Sequence, residues 1–168
     1  MKTKNEKKFP LLPFAVGICL ISIVAMMLSL SLGQSGQQPQ FTPPPFDETA
    51  VSGEPEVSES LGWGELDAQA YKVSVCGVVI VDDNEADVWL TNPETNSVWL
   101  KLRMLNASGE ILGETGLIKP GEYVQSVRVN NEVESGDKVV LKIMAYQPET
   151  YYSEGSVVLN TTIKEEDV

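Results

Sequence analysis

From about Trp63 to Ile163 apolar and polar residues alternate in short runs separated by turn residues, and no 3.6-residue period appears along that stretch. The clearest alternation sets Val98, Leu100, Leu102 and Met104 against Trp99, Lys101 and Arg103, which predicts a strand with one buried and one wet face. Lys138 to Tyr146 repeats the pattern, with Val139, Leu141, Ile143 and Ala145 on the core side. Tyr71 to Val81 (YKVSVCGVVIV) becomes apolar at both parities toward its end and reads as a central strand. Val88 to Leu90, Glu110 to Ile118 (interrupted by Gly113 and Gly116), Tyr123 to Val129 and Ser156 to Ile163 complete the set. Turns are expected at Asp82 to Glu85, Asn92 to Asn96, Asn106 to Gly109 and Lys119 to Gly121, where Asp, Asn, Pro and Gly supply the local backbone preferences. About seven short strands in about 100 residues predict an all-β fold, an antiparallel immunoglobulin- or fibronectin-like sandwich over residues 63–168, with an open barrel as the alternative.

The N-terminal pattern is different. No charged side chain occurs from Phe9 to Phe46, and Leu11 to Leu32 (LLPFAVGICLISIVAMMLSLSL) carries only serines as polar side chains. As a helix this run reaches about 33 Å, against a hydrocarbon core of about 30 Å, and an apolar surface on every face suits lipid rather than water. Lys2, Lys4, Lys7 and Lys8 precede it against the single acid Glu6, a flank retained on the cytoplasmic side. We therefore expect a cytoplasmic basic segment at 1–10, a transmembrane signal anchor at 11–33 and a single-pass topology with the C-terminal domain extracytoplasmic. The competing expectation is a signal peptide cleaved after Gly33. Residues 34–62 are rich in Pro, Gln, Ser, Gly and acids without a hydrophobic period, and are expected to form a disordered tether.

Charge sharpens this division. Four of the 12 basic residues but only one of the 24 acids lie in residues 1–33, which leaves eight bases against 23 acids, a net −15, in residues 34–168. So acidic a region repels nucleic acid and anionic lipid. Cys19 falls inside the apolar run and Cys76 inside the β-rich region, so the two do not pair. Export without a disulfide points to a bacterial source.

The chemistry available is sparse. The chain has no His, which removes the usual general base, the His-dependent nucleophile pairs and the commonest metal ligand, and it carries neither a phosphate loop nor a dinucleotide-binding turn. No catalytic residue and no cofactor is expected. Asp82, Asp83, Glu85 and Asp87 are hard oxygen donors for Ca²⁺, although the spacing departs from an EF-hand and a solvated hairpin accounts for them equally. Glu110, Glu114, Glu122 and Asp137 have no pattern that pairs them for glycoside hydrolysis. Cys76, in an apolar strand with only Lys72 as a nearby base, reads as a core residue. An aromatic set remains: Tyr146, the loop residues Tyr151 and Tyr152, and Trp99 on the wet face of its strand together suit a binding surface.

Leu100 to Val124 (LKLRMLNASGEILGETGLIKPGEYV) holds an aliphatic strand, a Gly-containing hairpin, an ILGET strand and an L-x-K-P-G-E turn. In this it is similar to small bacterial immunoglobulin-like domains of the FxLYD kind, although the aromatic-Leu-Tyr-Asp signature is missing. The resemblance implies a β-sandwich on the exterior of Gram-positive cells behind a membrane helix. The resulting expectation is a membrane-tethered, non-catalytic interaction or structural module of the cell envelope, related to secretion or conjugation, with a protein or envelope partner and no nucleic acid. The alternatives are a sensor ectodomain coupled through the helix and an exported carboxylate-dependent enzyme.

Overall fold

A computed structural model describes residues 41–129 and 133–164. The expected transmembrane segment lies outside them, and among the described residues no helix is long and apolar enough to cross a membrane. From Pro43 onward the chain forms one compact unit. Its described residues are all-β apart from a single 3₁₀ turn, Glu59–Leu61. The described strands are β1 Val51–Ser52, β2 Trp63–Asp67, β3 Lys72–Cys76, β4 Val79–Asp82, β5 Glu85–Asn92, β6 Trp99–Asn106, β7 Ile111–Glu114, β8 Glu122–Arg128, β9 Lys138–Tyr146 and β10 Ser153–Lys164.

Two layers result. In the first, β5 lies between β8 and the β3–β4 line, with β1 on the outer side of β8 and β2 on the outer side of β3. The second runs β10-β9-β6-β7. Strand β10 belongs to both: Ser153 to Thr162 pair antiparallel with β9, and Ile163 and Lys164 continue parallel to β4. The sheet is thus curled on itself, a sandwich joined along one side.

Alternation explains the core. Val73, Val75, Val79, Val88, Leu90 and Val124 from the first layer meet Leu100, Leu102, Met104, Val139, Leu141, Ile143 and Ala145 from the second in one cluster, every member 5% exposed or less. The core faces read from β6 and β9 are those found. The turns also follow their residues. Asp83 and Asn84, at φ 42° and 65°, make the tight turn between β4 and β5 that matches strand twist, and Pro120-Gly121 turns the chain with Gly121 at φ 78° and the Glu122 N–H donating to the Lys119 carbonyl at 3.1 Å.

Three expectations need correction. Tyr71 to Val81 is two strands: at Gly77 and Val78 the backbone N–H groups turn to the carbonyls of Gly62 and Leu61 (3.2 and 3.1 Å), and the hydroxyl of Thr161 donates to the Gly77 carbonyl at 2.6 Å. A side chain at 77 would crowd the Gly62 carbonyl at 3.3 Å. Lys101 is on the outer face as read, yet it is 6% exposed, because Glu114 on β7 covers it. Finally, the stretch 43–62, assigned to the tether by composition, is folded onto the domain. Phe46 bridges Leu117, the Asp47 N–H donates to the Leu117 carbonyl at 2.9 Å, the Asp47 carboxylate accepts from the Gly116 N–H at 2.6 Å, and β1 pairs with β8. Gly116 is what admits that segment, since a Cβ there would stand 2.4 Å from the Asp47 nitrogen.

Candidate functional site

The outer face of the second layer gathers most of the aromatic residues singled out above. Trp99 and Tyr146 are register partners on β6 and β9. The β9–β10 loop folds back through bonds from the Gln147 N–H to the Tyr152 carbonyl and from the Tyr151 N–H to the Gln147 carbonyl (2.8 and 3.0 Å), and Tyr151 takes a left-handed backbone at φ 58°. That conformation brings its ring edge-on to Trp99, with centroids 5.4 Å apart. Tyr152 is 72% exposed at the loop tip, and the Tyr146 hydroxyl reaches the Met144 sulfur at 3.6 Å. The sequence reading missed Phe46, whose ring meets Trp99 edge-on at 4.8 Å and carries the Lys119 ammonium 4.7 Å above its centroid. An aromatic residue closing an otherwise uncharged Pro-rich run was the available signal.

Beside this cluster Glu114 binds two cations, Lys101 Nζ at 2.8 Å and Arg103 Nε at 2.7 Å. Partial burial pushes its carboxyl up, but hydrogen bonds from both cations and their charges outweigh this and hold it below the usual carboxylate range. Glu114 is therefore a structural acid.

On the outer face of the first layer one row of register partners crosses four strands: Glu65 on β2, Ser74 on β3, Thr91 on β5 and Tyr123 on β8. Its first three members line a cavity of about 640 Å³ whose walls also include Glu54, Trp63 and Glu94. Trp63 is its aromatic wall: the Trp63 indole N–H donates to the Trp89 carbonyl at 3.1 Å, and Trp89, on a bulge at φ 47°, stacks on Tyr123 with centroids 6.0 Å apart. The Trp89 indole N–H is buried and finds no hydrogen-bond partner among the described residues. Asn92 anchors the end of β5, donating to the carbonyls of Val98 and Ile118 (2.9 and 3.1 Å) and accepting from Asn96 at 2.7 Å. Sequence alone gave no reason to join Trp63, Ser74 and Thr91, because their adjacency arises from pairing between strands far apart in the chain.

The acidic hairpin is not assembled as a metal cage. Asp82 and Glu85 are register partners beside the turn, Glu85 accepts from the Ser126 hydroxyl at 2.8 Å, and Asp87 accepts from Gln125 at 3.5 Å. Among the described residues no three His, Cys, Asp or Glu side chains converge to hold a metal ion. Cys76 is fully buried, and burial, with the charge of Asp87, pushes its thiol up to about 12. Glu110, Glu122 and Asp137 are each engaged locally, with Asn106, the Lys119 N–H and the Glu134 N–H.

No known family model matches the chain, and no curated protein matches it. Among solved structures it is similar to the crystal structure of CopC from Methylosinus trichosporium OB3b, at a TM-score of 0.37 and 13% identity over 63% of this chain and 97% of that one.

Proposed function

We propose that this chain is a membrane-tethered, non-catalytic β-sandwich that acts as an interaction module on the extracytoplasmic side of a bacterial envelope, kin to the FxLYD-like domains that Leu100 to Val124 resembles. The observation that carries the reading is Trp99 held between Phe46 and Tyr151 on an outer sheet face, with Tyr152 standing free beside it. Rings fixed by neighbours in this way lose little entropy on binding, and Trp and Tyr dominate the energetics of protein interfaces. The apolar run at 11–32 and its lysine flank supply the anchor and direction, and the anchoring helix and its topology are part of the proposal.

Two experiments test it. Protease added to intact cells removes a tag at Val168 if the domain lies outside; protection of that tag by the membrane sinks the topology. Full-length protein in detergent captures an envelope partner that Trp99→Ala together with Tyr151→Ala fails to capture. Undiminished capture by that variant, with its melting transition intact, removes the aromatic cluster from the interface.

A further inference from the structure

We propose that the cleft on the outer face of the first layer is a binding site for basic side chains, the guanidinium or ammonium group of an Arg- or Lys-bearing peptide. This deepens the interaction reading and rests on it, but it concerns the sheet face opposite the Trp99 cluster and specifies the chemistry of what binds.

Four observations converge. The cavity, about 640 Å³, falls within the roughly 300–1,000 Å³ range of ligand sites and is far larger than a side-chain gap. Its wall contains three carboxylates, Glu54, Glu65 and Glu94, and no basic residue; Lys72 answers Glu65 at 2.7 Å, whereas Glu54 and Glu94 form no ion pair with any described residue. Trp63 supplies an aromatic wall, and with its N–H already spent on the Trp89 carbonyl the ring is what it has left to offer a ligand. Ser74 is the decisive group. It is 5% exposed, on the floor of the cleft between Glu65 and Thr91, and its hydroxyl makes no hydrogen bond to any described residue. What is left of its surface opens on the cleft, so this hydroxyl, unpaired with protein, is available to a ligand's hydrogen-bonding group.

The class of ligand follows from what each alternative would leave uncompensated. An anion would meet only negative charge. A bare divalent cation would lack a converging set of three ligands among the described residues. A neutral sugar would desolvate Glu54 and Glu94 without a counter-charge. An Arg or Lys side chain meets every demand: its charge answers the carboxylates, its face or head rests on an indole, and its N–H groups donate to the hydroxyl oxygen of Ser74.

The test must separate this site from general attraction between a cationic peptide and a chain of net charge −12. The full chain, ¹⁵N-labelled in detergent micelles, is titrated with the peptide acetyl-Arg-Arg-Arg-amide while the three tryptophan indole N–H signals are followed. Expected is a saturable shift of the Trp63 signal, with Trp99 unmoved. Glu54→Gln with Glu94→Gln weakens binding by about tenfold, and Ser74→Ala weakens it by about threefold. A control that removes the same charge elsewhere, Glu48→Gln with Glu149→Gln, leaves affinity unchanged. Equal shifts at Trp99, equal loss in the control, no saturation at millimolar peptide, or tighter binding of maltotriose at the same signals would each overturn the assignment. A captured envelope partner that is retained by Glu54→Gln/Glu94→Gln and lost in Trp99→Ala/Tyr151→Ala overturns the cleft and leaves the interaction reading standing.

Discussion

The two outer faces of the sandwich are built by the same period-two alternation over a shared core, yet they differ in kind. On the second layer, β6 projects long side chains that its neighbours cover: Trp99 against Phe46 and Tyr151, Lys101 and Arg103 against Glu114 of β7. On the first, β3 and β5 project the small Ser74 and Thr91 between larger neighbours, and a hollow remains. Side-chain volume at a few facing positions, with the backbone pattern unchanged, decides whether a sheet presents a relief or a recess.

Substitutions that ignore the distinction set the scale. Leu90→Ala in the first layer and Leu102→Ala in the second both empty a fully buried site, and each is expected to cost about 2–5 kcal/mol in chemical denaturation. Equal costs would affirm a single core. A loss confined to one layer would break it into two. Next comes Asn92→Ala, which removes the Asn92 bond to the buried Val98 carbonyl and one of the two bonds to the Ile118 carbonyl, leaving that from the Leu100 N–H, and should cost about 1–3 kcal/mol. On the second face, Trp99→Ala removes two edge-on ring contacts and should cost about 0.5–1.5 kcal/mol for each aromatic pair, with the first-face cleft unaffected.

Acid is a gentler probe of the second face. The carboxyl of Glu114 is lower in the folded chain than its unfolded value of 4.5, so its contribution is fully present above pH 4.5 and is lost as pH falls through the lower folded value. Glu114→Gln should flatten the acid side of the stability profile in that window, and an unchanged slope would show that Lys101 and Arg103 do not stabilise the charged form. The smallest effect concerns Cys76, beneath the first face. With its thiol pushed up to about 12 and its surface fully buried, it should resist a thiol reagent at pH 8 in the native state and react stoichiometrically once unfolded. Rapid native labelling would mean that this face opens.

The strand pattern was legible where one face of a strand is apolar and the other is not, as in β6 and β9. It was less so where the deciding partner is remote. Tyr71 to Val81 looks continuous because both parities are apolar; at the break the Gly77 N–H goes to the Gly62 carbonyl and its carbonyl takes the Thr161 hydroxyl, partners remote in sequence. Phe46, Asp47 and β1 were hidden in a composition that lacks any period, since two or three residues pairing at an edge leave no repeat to read. The aromatic cluster was legible in four of its members and lacked Phe46 for the same reason. The cleft was invisible: Glu65, Ser74, Thr91 and Tyr123 share a row only after four strands have taken their register. Of the acidic hairpin, the sequence showed the turn but not that Glu85 and Asp87 are engaged by Ser126 and Gln125 of β8.

The double membership of β10 has a consequence in time. Its pairing with β4 joins Ile163 to Val79, so the two layers close along that side only when nearly all of the domain is available. Contacts of such separation are slow to form because a long loop must be ordered before they reward it. A chain emerging N-terminus first, from a ribosome or through a translocation pore, therefore holds β4 as an unsheltered edge until Lys164 arrives. During that interval the partly folded chain is vulnerable to proteolysis and to pairing with a neighbouring copy.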